Sequence, residues 1–151
     1  MMCTLCYITT LFIQNIYRMV KYYTDWSCLL QTGKWGRAFV RSDWFEKSSQ
    51  NYGATTNNAM ELNAIYEACK DIHNNHWHWC QVKIFTDSMR CLNIITGARK
   101  LQKREYKNTI AQIQRIIDFY NVQIERVRGH DWNKFNERAD KLARSQVFSN
   151  Q

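Results

Sequence analysis

The alternation of apolar and polar residues divides this chain into a run of strands and helices. Residues 19–27, Met-Val-Lys-Tyr-Tyr-Thr-Asp-Trp-Ser, are β-branched and aromatic and predict a strand ending near Asp25. Gly33 and Gly36 mark a turn, after which Arg37 to Trp44 and roughly Phe45 to Tyr52 read as two further strands of a meander. Leu62, Ile65, Cys69 and Ile72 recur at intervals of 3, 4 and 3, which predicts one apolar stripe on a helix from about Asn58 to His73. Gln81 to Thr86 alternates as a short strand, with Val82 and Ile84 on one face and Phe85 and Asp87 on the other. A helix carrying Met89, Leu92 and Ile95 follows and stops at Gly97. Ile110, Ile113, Ile117 and Tyr120 repeat the 3-4-3 stripe on a long helix ending near Tyr120. Val122 to Val127 predicts another strand, and Arg128-Gly129-His130-Asp131 a loop. Phe135, Ala139, Leu142 and Gln146 are expected along one face of a last helix.

The predicted order is β-β-β-α-β-α-α-β-α. Strands that flank a helix imply parallel crossovers, and the opening meander implies antiparallel pairs. The expected fold class is α/β, a five-stranded mixed sheet flanked by helices. A chain of 151 residues suits one compact domain, and neither an internal repeat nor a linker is visible. Residues 1–18 are apolar, with Leu11, Phe12, Ile13 and Ile16, and lack a basic region ahead of the apolar run. The segment is too short and interrupted to span a bilayer. It reads as an N-terminal extension, a loose arm or a start-codon artefact, with Met19 the functional start and 19–148 the domain. An organelle-targeting segment is the alternative, against which the scarcity of Arg and Ser argues.

Charge narrows the class of partner. Lys and Arg total 21 against 13 Asp and Glu, a formal charge of +8. A domain this basic favours a polyanion, nucleic acid ahead of an anionic membrane surface. A solvated basic surface is the plain alternative. Of the six cysteines only Cys3 and Cys6 have a C-x-x-C spacing, so no zinc set is complete. Scattered single cysteines fit a reducing compartment, and a cytoplasmic location is expected. Residues 73–80 hold three His and a Cys, but read as an exposed loop rather than a soft-metal site.

Candidate chemistry lies in the acids. Asp25 is expected to close the first strand, Asp87 the fourth, and Glu61 to start the helix between them. Asp140 falls in the first turns of the last helix. Their sequence neighbours are Trp26, Thr86 and Ser88 rather than Arg or Lys, so nothing obvious pairs them off. Carboxylates converging in one cleft repel, and divalent cations relieve the repulsion. Hard oxygen ligands without Cys point to Mg²⁺ or Mn²⁺ rather than Zn²⁺. Two such ions suit in-line displacement at phosphorus, so an acidic cleft in a basic protein reads as a nuclease. Each acid also has a plain reading. Asn58 and Glu61 fit a capping box, Asp25 a turn, Asp87 a helix cap, and Asp140 a solvated side chain.

Four stretches carry a resemblance. Tyr23-Thr24-Asp25-Trp26-Ser27, Thr55-Thr56-Asn57-Asn58-Ala59-Met60-Glu61-Leu62, Phe85-Thr86-Asp87-Ser88, and Arg128-Gly129-His130 with Asn136-Glu137-Arg138-Ala139-Asp140 resemble type 1 ribonuclease H. The likeness covers about residues 19–146. It implies a ribonuclease H fold and hydrolysis of the RNA strand of RNA–DNA hybrids, leaving 5′-phosphate and 3′-hydroxyl ends. Asp25, Glu61, Asp87 and Asp140 match the family's ligands for two Mg²⁺ ions, with Mn²⁺ as the alternative. Asp25 would bridge both ions, Glu61 and Asp87 hold the one beside the leaving group, and Asp140 the one that activates water. His130 matches a loop histidine that shuttles protons or aids product release. Asn57 and Asn58 match amides that read the hybrid's minor groove, and Thr56 a residue that holds a DNA-strand phosphate. Ser27 and Met89 stand with these as substrate contacts.

The departures are specific. Trp26 replaces the family's usual Gly after the first Asp, Ala54 an Arg near the phosphate site, and Met89 a Gln. The segment between Asp87 and Asp140 is short, and Arg99 to Lys107 is a stub of a basic handle or a plain basic loop. Weaker hybrid affinity, falling steeply with salt, is therefore expected. The chain is expected to be a monomer with an RNA–DNA hybrid as its partner and no membrane. Two rivals remain at this point: a hybrid-binding module without catalysis, and a resolvase- or integrase-like nuclease on the same scaffold.

Overall fold

The computed structural model describes residues 18–53, 55–77, 80–100, 106–128 and 133–148. The readings made on residues 1–17, Ala54 and His130 lie outside them. The described strands are β1 (Met19–Leu29), β2 (Lys34–Arg41), β3 (Glu46–Tyr52), β4 (Gln81–Thr86) and β5 (Gln123–Arg126). The described helices are α1 (Asn57–Asn75), α2 (Met89–Ile95), α3 (Lys107–Tyr120) and α4 (Lys134–Phe148). They form a five-stranded mixed sheet, as the patterning predicts, in the order β3-β2-β1-β4-β5.

β1 runs antiparallel to β2 and parallel to β4, while β4 and β5 are parallel. Alternation along β1 divides the molecule into two layers. Tyr22 faces α1 and joins Phe39, Leu62, Ile65, Ile72 and Ile84 in the main core. Each such fully buried side chain contributes about 1.5–3 kcal/mol of transfer free energy. Tyr23 faces the other way, stacked between Phe85 of β4 and Phe135 of α4. Helix α4 covers that second face, packing on β1 and β2.

Small residues set how closely α4 approaches. Its buried stripe is Asn136, Ala139, Ala143 and Val147. The expected face through Leu142 and Gln146 is therefore corrected to one set at Ala143 and Val147. Ala143 and Val147 fit against Gly36 of β2, where an added Cβ would stand 2.4 Å from the Ala143 carbonyl oxygen and 3.3 Å from Val147 Cγ2. In the same way α2 buries Cys91, Ile94 and Ile95, leaving Met89 exposed.

Two further expectations are corrected. β1 does not end near Asp25: its ladder with β2 continues through Leu29 and Lys34. Its pairing with β4, however, stops at Tyr23, so Asp25 lies just beyond the point where the parallel strands part. Residues 73–75 are helical rather than loop. Two nearby side chains are tied to the body, since the Trp77 indole N–H donates to the Tyr22 hydroxyl at 2.9 Å and His73 Nδ1 lies 3.1 Å from the Tyr120 hydroxyl. No helix among the described residues is long and apolar enough to cross a membrane.

Candidate active site

The site grows from four elements that meet where β1 and β4 diverge. This end of a parallel pair is where α/β sheets build their clefts. β1 supplies Asp25, and Asp87 follows the last residue of β4 directly. Helix α1 brings Glu61 from one layer, and α4 brings Asp140 from the other.

The start of α1 differs from a capping box on Asn58. Thr56 is the N-cap, and its hydroxyl accepts the Ala59 N–H at 3.3 Å. The Thr56 Oγ1 also lies 2.8 Å from the Tyr106 hydroxyl. The helix therefore begins two residues earlier than the capping box requires, and Glu61 falls in the second turn. Only 3% of Glu61 is exposed, and among the described residues neither of its carboxylate oxygens has a hydrogen-bond partner. A buried carboxylate in that state is costly and calls for a compensating positive charge. Burial first, then the Asp87 carboxyl and Asp25, pushes the Glu61 pKa up to about 10, against a smaller lowering from Thr86. Asp87 is near enough to act on Glu61, yet among the described residues no donor meets either Glu61 oxygen at hydrogen-bonding geometry.

Asp25 is perturbed in the same direction. Burial pushes its pKa up to about 7, opposed by the Trp26 backbone N–H, with Asp87 and Asp140 raising it further. That N–H donates to Asp25 Oδ1 at 2.7 Å and fixes the carboxylate. Asp87 is exposed and Asp140 half-buried. Asp25 is thus an electrostatic neighbour of Asp87 and Asp140, and Glu61 of Asp87 and Asp25. They do not form a closed cage: among the described residues no three His, Cys, Asp or Glu side chains already stand at metal-ligand spacing.

The expectation that no base pairs with these acids is corrected at one position. Arg144 Nε donates to Asp140 Oδ1 at 2.8 Å, one helical turn on. Arg144 also lowers the Asp25 pKa, although burial and the neighbouring acids outweigh it. The signal was present in the sequence as an Asp–Arg pair four residues apart on a helix.

Trp26, Ser27, Asn57, Asp140 and Arg144 line one cleft of about 440 Å³. This places two expected substrate contacts, Ser27 and Asn57, beside an expected ligand. Asn58 is partly buried and its carbonyl accepts from the Cys91 thiol at 3.6 Å. Met89 is 43% exposed at the start of α2. Leu30, Cys28 and Phe148 also line the cleft, and their types gave no chemical signal in the sequence. A set of hard oxygen donors around an uncompensated buried carboxylate fits a hard divalent cation.

A sheet of this order with such a carboxylate cleft defines a nuclease-like scaffold, and comparison with known proteins makes it specific. The RNase H family model matches residues 18–148. A ribonuclease H of Nitratidesulfovibrio vulgaris strain Miyazaki F is 33% identical over 144 residues, covering 86% of this chain and 90% of the relative. One from Prosthecochloris aestuarii is 31% identical, covering 85% and 94%. Among solved structures, the N-terminal RNase H domain of a Mycobacterium tuberculosis protein superposes with a TM-score of 0.73 at 19% identity, covering 87% of this chain and 95% of that one. RNase H1 of Halobacterium salinarum NRC-1 gives 0.70 at 20%, covering 85% and 96%. The chain belongs to the RNase H family, the hydrolases that cut the RNA strand of RNA–DNA hybrids.

Proposed function

We propose that the acids gathered where β1 and β4 part, beside this cleft, are the active site for that reaction, with Asp25, Glu61, Asp87 and Asp140 holding two divalent cations, Mg²⁺ or Mn²⁺. The observation that carries the reading is Glu61, buried with both oxygens unpartnered beside other acids. When bound, the cations supply Lewis acidity at the scissile phosphodiester. Asp25 feels both Asp87 and Asp140, which supports a central, bridging place between the two. The Trp26 N–H holds Asp25 in orientation. Glu61 and Asp87 would hold the cation on the leaving-group side, and Asp140 the one beside the attacking water.

Asn57 stands exposed at the N-terminus of α1, where its amide can give and accept hydrogen bonds to a 2′-hydroxyl. Asn58, Ser27 and Met89 extend this contact surface, and Thr56 holds a DNA-strand phosphate from the helix start. His130 is the proposed proton carrier, since an imidazole titrates near neutral pH. Cutting leaves 5′-phosphate and 3′-hydroxyl ends. The free thiols of Cys28, Cys69, Cys80 and Cys91 support function in a reducing compartment. We take the working unit to be a monomer comprising residues 19–148.

Cleavage of a labelled hybrid, with and without Mg²⁺, tests this reading. Duplex DNA, duplex RNA and branched DNA should remain intact. Asp25→Asn should lose at least about 100-fold in cleavage rate and keep hybrid binding. Near-normal turnover by that variant would sink the assignment.

A further inference from the structure

Trp26 stands apart from the other described tryptophans. Trp35 lies under the Arg37 guanidinium at 5.4 Å. Trp44 packs on Phe135 with ring centroids 4.4 Å apart and carries Lys134 over its face. Trp77 donates to Tyr22. Among the described residues the Trp26 ring has no aromatic or cationic neighbour, and its indole N–H no acceptor. Its indole N–H is not among the buried unpartnered atoms and is open to a ligand as well as to water. Trp26 sits where β1 has lost β4 as a neighbour and pairs only with Arg37 of β2.

The ring also lies in a built surface. It shares its cleft with Leu30 and Phe148, which are 89% and 51% exposed. Exposed apolar side chains gathered beside a polar site mark a contact surface. Around them stand an amide (Asn57), a hydroxyl (Ser27) and a guanidinium (Arg144). An aromatic plane, an apolar floor and a rim of donors and acceptors match one kind of ligand, a nucleobase removed from its stack. The cleft is continuous with the proposed active site through Asp140 and Asn57, so a base placed there belongs to the substrate strand beside the cut.

We propose that Trp26 is a stacking platform for an unpaired RNA base next to the scissile phosphodiester, so that the protein favours hybrids carrying a frayed or mismatched ribonucleotide there. This rests on the function proposed above. The base stacks on the indole, Leu30 and Phe148 support its far edge, and Asn57 and Ser27 meet its polar edge.

Two series of hybrids test it, one fully paired and one with a single unpaired 2-aminopurine ribonucleotide moved stepwise past the cut. Binding is measured in the uncut Asp25→Asn protein, alone and combined with Trp26→Ala or Trp26→Phe. At one position the 2-aminopurine fluorescence should be quenched on binding, and Trp26→Ala should abolish the quench. Trp26→Ala should weaken affinity for that hybrid about 5- to 100-fold, as loss of one base–aromatic stack does. It should weaken the fully paired hybrid less, and Trp26→Phe should restore most of the affinity. Equal affinities with and without the Trp26→Ala change, or a quench that survives it, would overturn the inference alone. Failure of the Asp25→Asn protein to bind any hybrid would overturn the function proposed above, and this inference with it. The Phe variant keeps the test decisive if Ala disturbs β1: a folded Trp26→Phe chain without quench or affinity gain also overturns it.

Discussion

Arg144 holds Asp140 from one turn along the same helix, at 2.8 Å, with 60% of the arginine side chain exposed. The guanidinium thus occupies an oxygen that the proposed function assigns to a cation. Exposed i, i+4 pairs are weak, on the order of 0.2–1 kcal/mol. On the proposed function, Arg144 would be a placeholder that a divalent ion at Asp140 displaces. Arg144→Gln should tighten Mn²⁺ binding by about 2- to 5-fold in calorimetry without nucleic acid. An unchanged or weaker Mn²⁺ affinity would contradict this.

The buried acids predict how the cation-free protein responds to pH. Burial, with neighbouring acids, raises Glu61 from 4.5 to about 10 and Asp25 from 3.8 to about 7. The native chain therefore holds these protons in a range where the unfolded chain has released them. Stability from this source is fully present below about pH 4. It falls as pH rises, through about pH 7 for Asp25 and about pH 10 for Glu61. Urea unfolding in the presence of a chelator should show the parent chain losing stability relative to Glu61→Gln between pH 5 and pH 8. Parallel stability curves for the two proteins would refute the placement of Glu61.

Gly36 is a packing prediction. A methyl group there would meet the Ala143 carbonyl oxygen at 2.4 Å and Gln146 Cβ at 2.8 Å. Neither the helix backbone nor the strand can yield without moving α4 off the sheet. Gly36→Ala should cost about 1–3 kcal/mol in thermal or chemical unfolding. Cleavage should fall with it even where the protein remains folded, because Asp140 rides on the displaced helix. A Gly36→Ala chain with the parent's stability would show that α4 packs elsewhere.

Charge sets the salt response. With a formal charge of +8, binding to a hybrid releases condensed counterions. The dissociation constant should rise about 10-fold or more between 50 and 200 mM salt. A change smaller than twofold would mean that phosphate contacts contribute little.

The sequence by itself determined the element order and the sheet type, and it supplied the four acids that the proposed function uses. Those features are written in local periodicity and in short motifs, such as the 3-4-3 stripes of α1 and α3, which need no knowledge of distant contacts. Which face of α4 is buried was not legible. Leu142 is the more apolar residue, yet Ala143 is buried, because only a small side chain lets the helix reach Gly36. The environment of Glu61 was equally hidden. Its spacing from Asn58 fits a cap, but a hydrogen bond from Ala59 selects Thr56 and carries Glu61 into the interior. Tertiary structure also decided that Asp25 stands beyond the last β1–β4 pair rather than at a strand end, and that Arg144 pairs with Asp140. Burial, strand divergence and pairing depend on what lies across the chain in space, and a linear pattern records only which residues are available to meet.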